Sequence, residues 1–187
     1  MKTRGQAVTD KILDTAERLF YTQGYHATGI NQVIEEADIA KGSLYKHFNS
    51  KADLMAGYMQ RLHTQWYERL TAFIGQVADP KAKLLAIFDH HTERQHTRQF
   101  GGCPFIKAGN EAGMADARVL AGIQQAKQQF KALIKDLVER SGHQGVLSDR
   151  DLSELIYLLV EGAVSAASVF KQTADLKSAQ IIVQQLL

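Results

Sequence analysis

Lys41, Ser43, Tyr45, Lys46, His47 and Lys51 fall within the eleven residues from Lys41 to Lys51 of a 187-residue chain. All six side chains are cations or hydrogen-bond donors, and the stretch holds no carboxylate, no metal-ligand set and no nucleophile paired with a base. Acid–base, nucleophilic and metal chemistry each need such a complement. A row of donors without one points outward, to an anionic partner.

Other residues with chemical potential are scattered. Cys103 is the single cysteine, so an intrachain disulfide is impossible. It precedes Pro104, which suits the first turn of a helix, and a thiol at a helix N-terminus is acidified by the dipole. That arrangement fits a sensor of oxidants or electrophiles; the alternative is a small buried hydrophobe. His90, His91 and His96 lack the i, i+4 spacing of a metal-binding helix, so no metal site is expected and a polar helix face is. Asn110 and Glu111 follow Cys103 on a short helix, and Glu161 is a lone acid in an apolar helix. Glu161 must reach solvent, pair across a subunit boundary or contact a small molecule. With Cys103, these three residues are the candidate effector contacts. Nothing calls for a cofactor.

The elements that position these residues are helical. Hydrophobic residues make up 45% of the chain and charged residues 22%, an ordinary globular balance. The net charge is only +2, so any basic surface must be local. The polar start "MKTRGQAVTDK" does not resemble a signal peptide, and no run of about 18 consecutive apolar residues occurs, so a cytoplasmic protein that does not enter membranes is expected. Two prolines and no alternating strands argue for an all-α chain of about nine helices.

Residues 1 to 8, with Lys2 and Arg4, read as a polar arm, and the spacing predicts a first helix from a cap at Thr9 to Gly24. Thr28 is the predicted cap of a second helix carrying Ile30, Val33, Ile34 and Ala37. A third runs from Lys41 to about Phe48, and Ser50 with Asp53 forms a capping box for a long fourth helix reaching about Val77. Further helices are predicted at about 80–98, 104–113, 116–141, 149–172 and 175–187. The three short helices, with a tight "ADIA" break before the third, have helix-turn-helix spacing. On the third helix Leu44 and Phe48 face inward, while Gly42 and Lys46, flanked by Ser43 and Tyr45, face out. Gly42 costs a helix about 1 kcal/mol against alanine. Close approach to another surface, such as a DNA major groove, justifies that cost.

The ordered set from Ile12 to Met55 resembles the DNA-binding domain of TetR/AcrR-family transcriptional regulators. It comprises Leu19-Phe20, Gly24-Tyr25, Thr28, the run "KGSLY", His47-Phe48, Ser50-Lys51 and Leu54. The resemblance implies a helix-turn-helix domain over residues 1–50 and a ligand-binding and dimerisation domain over 51–187. It also implies a two-fold dimer on a palindromic operator, with repression relieved by a ligand. Carried over to this chain, Thr28, Tyr45, His47 and Lys51 contact phosphates, and Lys41, Gly42, Ser43 and Lys46 lie at the major groove, with Arg4 as an added arm contact. Asp38 and Ala40 depart from the family's usual glycine and Ser/Thr cap.

The helix at 149–172 is apolar nearly all round, and the one at 175–187 adds Ile181, Ile182 and Leu186. Both are expected to pack on a second copy of the chain as well as on their own domain. The function expected is a homodimeric DNA-binding repressor, not an enzyme, released from double-stranded operator DNA by a small molecule or by modification of Cys103. A regulator without an effector, and a thiol enzyme using Cys103, are the alternatives.

Overall fold

The structure, a computed structural model, describes residues 4–113 and 116–187; Lys2 lies outside them. The described residues form α1 (Arg4–Thr22), α2 (Ile30–Glu36), α3 (Lys41–His47), α4 (Lys51–Ile74), α5 (Pro80–Thr97) and α6 (Pro104–Ala108). A π-helical turn (Gly109–Gly113), α7 (Ala117–Ser141), α8 (Asp149–Phe170) and α9 (Ala174–Leu186) follow, and no strand occurs among the described residues.

Two compact units form, and neither is a continuous segment. The first takes the chain up to Thr64 together with Pro104–Gln124; the second takes Gln65–Cys103 and Gln125–Leu187. In the first, α1 buries Ile12, Ala16, Leu19 and Phe20, and Val33, Leu44, Phe48, Leu54 and Tyr58 complete the core. These are the inward positions of each helix's 3.6-residue period. Arg61 ties α4 to α1 through Asp14 at 2.8 Å and Glu17 at 3.5 Å. In the second unit α9 packs along α8 and α5, over Leu84, Ile87, Phe88, Ile156, Val160, Leu176 and Val183.

Several local expectations are corrected. α1 already runs at Arg4, because Gln6, Ala7 and Val8 place no breaker before Thr9. Thr9 therefore caps nothing; its hydroxyl donates to the Gly5 carbonyl at 3.1 Å and lies 3.0 Å from His47 Nδ1. Thr28 does not cap α2 either. Gly29 takes that position without a side-chain bond, and Thr28, 1% exposed, donates to the Gly24 carbonyl at 2.7 Å. α4 stops at Ile74 rather than Val77, ahead of Gly75. Pro104 opens a helix of only five residues, which passes into the π-helical turn. His90 and His91 are not a polar face: they are 8% and 7% exposed.

Other local features match the sequence reading. Gly24 ends α1 with φ +94°. Ser50 Oγ accepts from the Asp53 amide at 3.0 Å. Asp79, which the sequence reading did not single out, caps α5, accepting from the Ala82 amide at 2.8 Å. The most apolar 18-residue stretch of α8 has a mean hydropathy of 1.5, long and apolar enough to cross a membrane. Its buried residues Leu152, Ile156, Val160, Ala163, Val164 and Ala167 nevertheless form one stripe, with Leu158, Val169 and Phe170 exposed elsewhere on the helix.

Candidate nucleic-acid interface and effector cluster

α3 is fixed from beneath and open above. Leu44 and Phe48 are buried, and Phe48 reaches under α4, where its ring stands 2.7 Å from the position a Cβ on Gly57 would take. Lys41, Gly42, Tyr45, Lys46 and His47 are exposed and Ser43 is half-buried. A Cβ added at Gly42 meets nothing within 4 Å. The fold therefore leaves room for a side chain at that position.

The turn before α3 keeps its shape despite Asp38. Asp38 adopts φ +47°, the left-handed region that asparagine and aspartate enter more readily than other side chains. Lys11 of α1 holds it, donating to the Asp38 carbonyl at 3.2 Å and to its carboxylate at 3.3 Å. Ala40 occupies the N-cap of α3 without a side-chain bond, so the first amides of the helix have no cap of their own.

Thr28 and Lys51 differ from the α3 residues. The Thr28 hydroxyl is engaged inside the unit. Lys51 is half-buried with Nζ 4.3 Å above the Tyr25 ring; burial lowers its pKa and the Glu111 carboxylate acts against that.

The four candidate effector residues separate into two groups. Asn110 and Glu111 lie on the π-helical turn, in the first unit. Glu111 accepts from the His26 amide at 3.2 Å and closes over Gly24, whose missing Cβ would stand 2.7 Å from the carboxylate. Nearby, Arg118 at the start of α7 bonds Asp53 of α4 at 2.7 Å and Asp116 at 2.7 Å, and it holds both carboxyls below their ordinary values. Cys103 and Glu161 meet in the second unit, through a residue that sequence reasoning missed. Lys127 of α7 places Nζ 2.6 Å from both Glu161 oxygens and 3.7 Å from Cys103 Sγ.

The Lys127 cluster is half-buried, with 21% of the Lys127 and 23% of the Glu161 side chain exposed. Burial works to lower the Lys127 pKa, but the Cys103 thiol, then the Glu161 carboxylate, outweigh it and the pKa is raised. The ammonium is thus retained between the carboxylate and the sulfur. Tyr157 lies close by with its ring under Lys131 Nζ at 4.5 Å; burial and then Glu161 raise its hydroxyl pKa. Further in, His91 is held neutral, its pKa far below normal through burial, then His90, Arg94 and Lys127. No group of three metal-ligating side chains converges among the described residues.

Residues 12–58 match the family described as bacterial regulatory proteins, tetR family, and residues 80–185 match the tetracyclin repressor-like C-terminal domain. Among curated relatives, the uncharacterized HTH-type transcriptional regulator YxaF of Bacillus subtilis is 54% identical over 179 residues, covering 94% of this chain and 92% of its own. The HTH-type transcriptional regulator LmrA of the same organism is 23% identical, covering 95% of each chain. Among solved structures, reduced E. coli NemR superposes with a TM-score of 0.81 at 22% identity, covering 96% of each chain. A TetR regulator from Chloroflexus aurantiacus superposes at 0.84 and 22% identity, over 96% of this chain and 93% of that one. At that identity the two structures speak for the fold.

Proposed function

Because the chain belongs to the tetR family of bacterial regulatory proteins and is a DNA-binding transcriptional regulator, we propose that it is a homodimeric repressor of a palindromic operator. One observation carries the reading. α3 offers Lys41, Ser43, Tyr45, Lys46 and His47 around a glycine whose Cβ position is empty for 4 Å. Cations and hydroxyls neutralise phosphates, and the gap at Gly42 admits a groove wall. Tyr45 and His47 bind phosphate oxygens, Lys51 and the Thr28 backbone flank them, and Arg4, at the first position of α1, adds a further contact. Residues 1–50 read DNA, and 51–187 dimerise and take the effector.

The dimer forms through α8 and α9. Val169 and Phe170 are 70% and 65% exposed, and Leu158, Ile181 and Ile182 are also open to solvent. Large side chains left uncovered on two adjacent helices suit a four-helix contact between copies. Release follows a small-molecule effector or modification of Cys103, which lies 3.7 Å from Lys127 Nζ. α4 carries the change, since it begins in the reading unit and ends in the other. Effector and DNA then oppose each other with equal coupling. Cys103 acts as a sensor and does not turn over, so peroxide consumption by the thiol stops within the few equivalents that carry it up to sulfonic acid.

The test is selection from a random DNA pool by the full-length protein, followed by affinity against salt. A palindrome bound by a dimer, with log affinity falling steeply against log salt, is the expected result. Enrichment of nothing, with only weak uniform binding, sinks the assignment of α3.

A further inference from the structure

His47 is the last residue of α3, and a side chain from another helix holds its ring. His47 Nδ1 lies 3.0 Å from Thr9 Oγ1 on α1, within the same unit. The Thr9 hydroxyl also lies 3.1 Å from the Gly5 carbonyl, one turn back along α1. A carbonyl oxygen only accepts, and a hydroxyl has one proton to give. Thr22, Thr64 and Thr71 spend theirs in the same way, each on the carbonyl four residues back. With its proton on Gly5, Thr9 Oγ1 meets the ring through a lone pair. The imidazole is then the donor, and its proton sits on Nδ1. Thr9 is half-buried and His47 exposed, so the anchored nitrogen is the inner one and Nε2 is left for a partner.

We propose that Thr9 is a positioning residue for the phosphate contact of His47. An exposed side chain at the end of a seven-residue helix loses rotational freedom when it binds, and that loss weakens the contact. One hydrogen bond to a hydroxyl fixed on α1 orders the ring before DNA arrives. A partner on one ring nitrogen also decides what the other can do. Nε2 donates to a phosphate oxygen once it carries a proton as well, a state that the phosphate anion itself favours. The bound ring then donates from both nitrogens, to Thr9 and to the phosphate, and adds a positive charge beside Lys46. The inference rests on the reading of α3 as the helix that meets DNA. It adds a residue of α1 that acts through His47 rather than on the DNA itself.

The first measurement needs no DNA. Long-range nitrogen–proton correlation spectra of the full-length protein, at a pH where histidine is neutral, report which ring nitrogen holds the proton, with His47 assigned by its absence in H47A. The Nδ1–H form is expected in wild type and T9S, and the Nε2–H form gains in T9V, which keeps the shape of threonine without the lone pair. The second measurement is affinity for the selected operator, or for arbitrary duplex DNA at low salt if selection recovers none, since a phosphate contact does not depend on sequence. T9V is expected to weaken binding about fivefold, as two subunits each lose the help of one surface hydrogen bond. T9S is expected to restore wild-type affinity. In the H47A background T9V should change affinity by less than about twofold, which a general loosening of α1 would not produce. Melting curves establish that T9V folds; if it does not, the wild-type tautomer decides. An Nε2–H ring in wild type, full affinity in T9V, or an equal loss from T9V with and without His47 overturns the role of Thr9. Wild-type affinity in H47A overturns the phosphate contact itself and the positioning role with it, so the two failures are told apart.

Discussion

α3 and the Lys127 cluster use charge in opposite ways. On α3 the lysines are exposed, and among the described residues no ion pair engages Lys41 or Lys46. In the second unit Lys127 is half-buried and committed on two sides, to Glu161 and to the Cys103 thiol. The first arrangement costs the fold little and leaves charge available to a partner from outside. The second desolvates a cation and makes it depend on its neighbours. Substitutions on α3 should therefore change binding and spare stability, whereas substitutions around Lys127 should change stability first.

Gly42→Leu tests the first half most sharply. A Cβ at this position meets nothing within 4 Å, and on the proposed reading the leucine side chain fills the gap that admits a groove wall. Operator affinity should fall about a hundredfold, roughly 2.7 kcal/mol, while the fold gains about 1 kcal/mol from relief of a helical glycine. Gel-shift titration and urea unfolding of the same preparation read both. Loss of stability together with DNA binding would mean that Gly42 serves the fold after all.

Glu161→Gln tests the second half. Lys127 would keep its partial burial and lose its carboxylate, at about 2 kcal/mol for a charged hydrogen bond removed. The urea midpoint should fall, with operator affinity per folded dimer unchanged. The pair also has a pH signature. The Lys127 pKa is raised, so its contribution is complete below the ordinary lysine value of 10.5 and is lost as pH climbs through the folded value above it. Thermal melts above pH 10 should separate wild type from Glu161→Gln less and less. A gap that stays constant through that range would mean that another partner holds the ammonium.

The buried histidines act at the acid side. His90 and His91 are neutral in the fold, His90 with a pKa of about 4 against 6.5 ordinarily. Below pH 6.5 the unfolded chain gains protons that the folded chain refuses. Stability falls as pH drops toward the folded value, by about 1.4 kcal/mol per pH unit for each histidine. Urea titrations between pH 7.5 and 5 should show this slope, and His90→Gln should remove about half of it. A flat profile would place a carboxylate against one of the rings.

The reading unit was legible in sequence because its signals are local. Capping at Ser50, the Leu44–Phe48 spacing and Gly24 after α1 each lie within a few residues of the structure they specify. Glu161 showed the opposite limit. Its isolation in an apolar helix demanded a partner, but the partner lies 34 positions away on another helix. A signal was available: Lys127 and Lys131 are four apart on α7, Glu161 and Glu154 seven apart on α8, and the pairs close in antiparallel order. Thr28 failed for a related reason. Its type fits a cap, yet burial turned the hydroxyl to Gly24, and no local pattern announces burial of a threonine. Asn110 and Glu111 followed Cys103 in sequence but joined the other unit, because the chain crosses between units at Cys103–Pro104.

Asp38→Gly carries the smallest expected change and bears on how well α3 is held. A left-handed non-glycine residue costs about 1–2 kcal/mol, less for aspartate. Glycine removes that strain but adds freedom to the unfolded chain, about 0.5–1 kcal/mol. The exposed contact of Lys11 with the Asp38 carboxylate, at 3.3 Å, disappears, while its bond to the carbonyl survives. Exposed ion pairs contribute less than about 1 kcal/mol, so the terms nearly cancel and a shift within about 0.5 kcal/mol is expected in urea unfolding. Operator affinity distinguishes what the balance conceals. If it is unchanged, the Lys11 bond to the carbonyl suffices to orient the start of α3. If affinity drops while stability holds, the Asp38 side chain substitutes for the cap that Ala40 cannot provide, by fixing the turn from which α3 sets out.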